Sequence, residues 1–197
     1  PAAVAAGALT REEMFTVLDR RAQVMDAARG GRMISVALDE EQAAAWAARY
    51  DRVGVAAVNG PASTVLAGPR GPIEEIRARL RDEGVRCIPL PVDYAFHSPL
   101  LDGSDTLLEA ALADLPARTV DLDFHSTVTG RPVERLDARY WARNLRAPVR
   151  FADAVASLGD VATSVVIECA PHTVLSTDLQ RTFDDRGVRP RVPPVAT

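Results

Sequence analysis

Apolar and polar positions follow two periods along this chain, and the switches between them outline its elements. Met14, Val17, Leu18, Met25 and Ala28 recur at helical spacing, with Thr10 and Glu13 as a capping box ahead of them and Gly30-Gly31 behind, so the first segment is predicted to be a helix. Residues 33–91 then read as strand (33–38), helix from an Asp39 cap to Tyr50, strands 53–58 and 63–67, helix 72–83 and strand 85–90. Asn59-Gly60-Pro61 turns between the two middle strands, while Pro72 and Gly84 bracket the second helix. The order βαββαβ is that of a ferredoxin-like unit, an antiparallel sheet with both helices on one face. Farther on, Leu107, Leu108, Ala111 and Leu112 predict a helix, 122–128 a strand, 152–158 a short helix, 163–168 a buried parallel strand and 174–183 a helix. The tail 189–197, with prolines at 190, 193 and 194, reads as a linker.

Composition adds bounds rather than a function. A chain of 197 residues buries one core easily and has room for two subdomains. Charges interrupt every apolar run and the start lacks a secretory pattern, so neither a membrane nor export is expected and a cytoplasmic location follows. A net charge of -4, with scattered arginines, gives no reason to expect a nucleic-acid partner. Arg is the sole basic residue apart from His, which with abundant Ala, Gly and Pro points to GC-rich coding. Cys87 and Cys169 lack a second Cys or a ligand-spaced His and read as small core residues. No Asp, Glu and His cluster has metal-ligand spacing, so no metal is expected.

Chemistry concentrates in two stretches about fifty residues apart, Tyr94-Ala95-Phe96-His97-Ser98-Pro99 and Tyr140-Trp141-Ala142-Arg143-Asn144-Leu145-Arg146-Ala147-Pro148-Val149-Arg150-Phe151. With the run Pro1 to Leu9, the turn Val58-Asn59-Gly60-Pro61 and Glu168-Cys169-Ala170-Pro171-His172, they resemble the acyltransferase domains of modular polyketide synthases, in order and over nearly the whole chain. Those domains share their mechanism with malonyl-CoA:acyl-carrier-protein transacylases. The resemblance implies an α/β fold, with an α/β-hydrolase-like larger subdomain (residues 1–31 and 94–185), a ferredoxin-like small subdomain (32–93) and a linker (186–197). It implies transfer of an acyl group from CoA to the phosphopantetheine thiol of an acyl carrier protein through an acyl-serine. In the family that serine lies in a Gly-His-Ser-x-Gly elbow a few residues before the counterpart of Pro1, so the nucleophile is expected upstream and the chain alone is expected to be inactive. Expected partners are the acyl carrier protein, the N-terminal acyltransferase segment and neighbouring domains such as ketosynthase. No cofactor is expected beyond the acyl-CoA substrate and the carrier's phosphopantetheine.

Site residues follow by position. A lone His is eligible for base work through its near-neutral pKa, and the resemblance makes His97 the general base and acid. It assigns the orienting acceptor to the main-chain carbonyl of Asn144, whose bland alternative is a loop residue capping its own backbone. Arg21 falls on the same helical face as Met14, Leu18 and Met25, where a guanidinium needs a partner; the resemblance gives it the free carboxylate of a malonyl-type acyl group, and the alternative is a snorkelling or internally paired Arg. Arg20 and Arg29 read as solvated charges. Phe96 and Tyr94 bear on the acyl group: in the family His-Ala-Phe-His goes with malonyl and Tyr-Ala-Ser-His with methylmalonyl, and this chain has a mixture. Phe96 next to the base fills the room an α-methyl needs, which favours malonyl by about 1–3 kcal/mol at most. Asn59 either points into the cleft or satisfies its own turn. His125 reads as structural, His172 as support for the cleft, and Ser98 as no nucleophile. A rival reading is a non-catalytic module that binds carrier protein or neighbouring domains; the missing serine counts for it, and the retention of His97 and Arg21 counts against it, because a docking surface needs neither.

Overall fold

The computed structural model describes residues 1–159, 165–170, 173–188 and 195–196. After a short α1 (Ala2–Ala5), the capping box forms as the sequence predicts: the Thr10 hydroxyl accepts from Glu13 N at 3.1 Å and the Glu13 carboxylate accepts from Thr10 N at 2.7 Å. It starts α2 (Arg11–Met25), which a 3₁₀ turn at Asp26–Ala28 closes. The face expected to be buried is shallow. Val17 is buried, Met14, Arg21 and Met25 are half-buried, and Leu18 is 50% exposed.

The chain then builds β1 (Gly31–Val36), α3 (Glu40–Ala47), β2 (Gly54–Gly60), β3 (Ser63–Pro69), α4 (Arg70–Asp82) and β4 (Cys87–Pro89). These strands lie in the order β4-β1-β3-β2, all antiparallel, which is the ferredoxin-like arrangement. Register explains why both helices take one face. Ile34 stands opposite Leu66 and packs with it and Val36 under Ile73, Ile76 and Leu80 of α4 and Ala43, Trp46 and Ala47 of α3. The alternate residues Met33, Val65 and Ala67 face the other way, onto Ala95, Phe96 and Leu100. Each fully buried aliphatic side chain contributes about 1.5–3 kcal/mol, so a one-residue slip that turned this set outward is strongly disfavoured.

Beyond the sheet come α5 (Ser104–Ala111), β5 (Arg118–Thr119), β6 (His125–Ser126), β7 (Arg131–Pro132), β8 (Arg135–Leu136), α6 (Ala138–Arg146), β9 (Val149–Arg150), α7 (Phe151–Ala156), β10 (Ile167–Glu168), α8 (Ser176–Asp185) and β11 (Val195–Ala196). Leu101, Leu108, Leu112, Leu136 and Leu145 join Leu9 and Val17 in a second core that ties α2, α5 and α6 together. Strand β9 pairs in parallel with β2, through Ala57 with Val149 and Val58 with Arg150, and becomes the sheet's fifth strand. The second of the two motif stretches is thus stitched to the ferredoxin-like sheet, whose own two connections run side by side: Gly30 N donates to Asp93 O at 2.9 Å and Ala95 N to Ala28 O at 3.0 Å.

Several expectations change. The strand expected over 122–128 is paired only at His125–Ser126, opposite Arg131–Pro132. Of 163–168, the described part forms β10, whose Val165 and Ile167 neighbourhood is exposed rather than buried, at 56% and 55%; among the described residues β10 pairs with β11 alone, so no sheet covers its faces. That pairing also makes 195–196 a short parallel strand where a linker was expected, while 189–194 and 197 lie outside the described residues. Cys87 is half-buried, packed at the margin of the core formed by Ile34, Leu66 and Leu80, whereas Cys169 is exposed and is no core residue. No helix of the described residues is long and apolar enough to cross a membrane.

Candidate active site

His97 sits where the chain leaves the sheet, with a backbone φ of 54° in the left-handed region. For a residue with a side chain this conformation costs on the order of 1 kcal/mol, and its neighbours hold it there. Ser98, fully buried, donates its hydroxyl to Ala95 O at 2.6 Å and accepts from Leu100 N at 3.2 Å, capping the 3₁₀ turn Pro99–Leu101. Its hydroxyl is committed to the backbone and is no nucleophile. The His97 ring places Nδ1 2.9 Å from Ala147 O. A carbonyl only accepts, so Nδ1 carries the proton and Nε2 of the neutral ring keeps the lone pair a base needs.

This contact corrects the assignment made to Asn144. The carbonyl that meets His97 is that of Ala147, three residues on. Pro148 disfavours helix for Ala147, whose φ of -65° and ψ of 150° end α6 and turn the carbonyl out of the helix, whereas Asn144 lies inside α6 with its carbonyl along the axis. The signal was present in the sequence as Ala147-Pro148 after a helical run.

Asn144 contributes its side chain instead. Its Oδ1 accepts a hydrogen bond from Nη1 of Arg21, which joins α6 to α2. Among the described residues Arg21 has no acidic partner, and burial pushes its pKa down. A half-buried guanidinium held by a neutral amide is a cation whose counter-charge is missing. The consequence reaches His97, whose pKa is lowered to about 4, first by burial, then by the Arg21 charge and lastly by Arg146, against the opposing effect of the Ala147 carbonyl. The imidazole therefore stays neutral throughout the ordinary pH range.

Arg21 and Asn144 line a cavity of about 500 Å³ whose other walls include Leu9, Met14, Val17, Leu18, His125, Tyr140 and Trp141. His97 flanks this cavity without lining it. His125 was read as structural from the sequence; it bonds to Ser157 and also forms part of the cavity wall. Its Nδ1 lies 2.6 Å from Ser157 Oγ, and that hydroxyl donates to Ala154 O at 2.7 Å, so the ring supplies the proton between them. The fold leaves Tyr94, Phe96 and Asn59 out of this cavity. Tyr94 and Phe96 stack at 5.1 Å beside His97, with Arg29 5.7 Å over the Tyr94 ring and Phe96 packed on the sheet core. Asn59 is near the end of β2, where Gly60 abuts Asp178 of α8, and is not among the walls of the Arg21 cavity. His172 lies outside the described residues.

Comparison with known proteins sharpens the chemistry. Residues 1–194 match the family described as acyl transferase domain. The polyketide synthase GfsA of Streptomyces halstedii is 42% identical over 190 residues, which is 93% of this chain and 2% of that protein. Erythronolide synthase EryA2 of Saccharopolyspora erythraea is 39% identical over 191 residues, 93% of this chain and 5% of that one. The acyltransferase domain from module 8 of the salinomycin polyketide synthase superposes with a TM-score of 0.89 at 37% identity, over 100% of this chain and 47% of that one. The chain therefore spans a few per cent of the curated relatives and about half of this structural relative.

Proposed function

The chain belongs to the acyl transferase domain family, in the company of polyketide synthase acyltransferases, and from that premise we propose that it carries the base and the carboxylate anchor of an extender-unit acyltransferase. The observation that carries the reading is Arg21: a half-buried cation, unpaired with any acid among the described residues, opening on a cavity next to a neutral imidazole. An acyl group with a free α-carboxylate supplies the missing charge, and the guanidinium fork suits it.

In this reading a serine on a segment upstream of Pro1 attacks the CoA thioester. Nε2 of His97 takes the serine proton as the carbon–oxygen bond forms, then protonates the departing CoA thiolate, leaving an acyl-serine. The second half runs in reverse: the phosphopantetheine thiol of an acyl carrier protein gives its proton to His97, attacks the ester and returns the serine. Ala147 keeps the ring in the required tautomer, and Arg21 holds the acyl carboxylate still through both steps. Malonyl is the first-choice acyl group and methylmalonyl the second; Phe96, braced by Tyr94, acts on that choice from beside the base rather than from the Arg21 cavity. The work is done in the cytoplasm, among neighbouring synthase domains such as ketosynthase.

The test is intact-mass spectrometry of the full domain, serine segment included, after mixing with malonyl-CoA and separately with methylmalonyl-CoA. An acyl adduct is expected with malonyl-CoA foremost, formed 10²–10⁴ times more slowly after His97→Ala, the usual range for a general base. A folded domain that takes up no acyl group from either thioester would overturn the reading in favour of a carrier-binding module.

A further inference from the structure

The helical turn that ends α6 touches both halves of the proposed chemistry. Ala147 O holds the base, and Asn144 Oδ1, one turn earlier, holds the guanidinium of Arg21. A guanidinium has only donors, so the Asn144 atom facing it is the carbonyl oxygen, and the planar amide turns its Nδ2 hydrogens elsewhere. Among the described residues those hydrogens have no partner, and Asn144 lines the same cavity as Arg21. One side chain thus fixes the direction of the cation and leaves a second, neutral donor beside it.

We propose that Asn144 is a positioning residue for carboxylate recognition: it aims the Arg21 fork into the cavity and offers its own amide hydrogens to the second oxygen of the acyl carboxylate, so that the choice of α-carboxyacyl over plain acyl thioesters belongs to the pair. This rests on the reading of Arg21 given above. Without Asn144, the half-buried guanidinium loses the hydrogen bond to Oδ1 that sets its direction and samples several rotamers, of which only some present two parallel donors to a carboxylate. A thioester without a carboxylate asks nothing of either side chain.

The experiment is steady-state transfer by the full domain with malonyl-CoA and acetyl-CoA, for wild type, Arg21→Ala, Asn144→Ala, Asn144→Asp and the Arg21→Ala/Asn144→Ala double variant. Asn144→Ala is expected to lower the malonyl-to-acetyl ratio of kcat/KM about tenfold, mostly through KM for malonyl-CoA, as loss of a charge-assisted hydrogen bond does. Asn144→Asp is expected to lower the ratio further, because its carboxylate pairs with Arg21 and takes the place of the substrate's. In the Arg21→Ala background the Asn144 effect on the ratio is expected to shrink to the share of the direct amide contact, because the part that acts through Arg21 is gone. Equal losses with both thioesters, or an undiminished effect in that background, would overturn the inference and return Asn144 to a structural role. The two readings fail separately. A wild type that does not prefer malonyl-CoA, or an Arg21→Ala variant that keeps the preference, overturns both; a preference that collapses with Arg21→Ala and survives Asn144→Ala overturns this inference alone.

Discussion

At the scale of single residues, the neutral imidazole of His97 sets the pH behaviour. Its pKa is depressed, so the form that accepts a proton exists above about 4, and kcat/KM of the full domain should fall as pH drops through about 4 rather than through 6.5. The charge of Arg21 is one cause of that depression. Arg21→Ala should therefore move the His97 titration upward, measured by NMR of the imidazole, and an unmoved titration would show that the two groups do not share a site. A carboxylate placed at Arg21 would offset that charge and raise the His97 pKa in the same direction. The sequence announced His97 by its surroundings, and it placed Arg21 on a helix face with apolar neighbours. Which carbonyl meets the ring was a matter of where α6 stops, and that depends on Pro148 acting on Ala147.

At the scale of elements, helix starts give the clearest local physics. Thr10→Ala should cost about 1 kcal/mol in urea unfolding, since it removes one half of the box that begins α2. The N-terminus of α8 has no cap from its own preceding residue, and Glu168 serves in its place. Its carboxylate accepts from Val174 N and Leu175 N at 2.9 Å each and from Ser176 N at 3.1 Å, with the Ser176 hydroxyl at 2.5 Å. The Ser176 hydroxyl leads these donors in pulling its pKa down to about 2. A depressed carboxylate pKa means stability that is whole above the ordinary value of 4.5 and lost as pH falls through about 2. Glu168→Gln should lower the melting temperature at neutral pH and flatten its decline in acid; a melting curve unchanged at both ends would show that the cap does not hold. The Thr10 box spans three residues and was legible in the sequence, whereas Glu168 reaches donors six to eight residues away, and only the folded loop brings them together.

At the scale of the whole molecule, His97 is held between the five-stranded sheet and α6. The seam is narrow: a Cβ on Gly31 would lie 2.5 Å from Ala95 Cβ and 2.9 Å from Ala95 N. Gly31→Ala should thus destabilise the fold by about 1–3 kcal/mol and slow acyl transfer as well, because His97 is two residues from Ala95. Urea unfolding with a parallel rate measurement checks this, and a variant of full stability and full rate would show that the seam gives way freely. The alternation of apolar residues from Met33 to Leu90 was enough to determine the βαββαβ order, since strand and helix faces must be buried at periods of two and 3.6. The motif around His97 was likewise enough to point to the acyl transferase family. Tertiary structure alone decided that Val149–Arg150 joins this sheet, because a two-residue strand carries no period of its own. It alone decided that the Asn144 amide serves Arg21, a partner 123 residues away in the chain, because a side-chain contact between two helices depends on how they pack and not on the spacing within either.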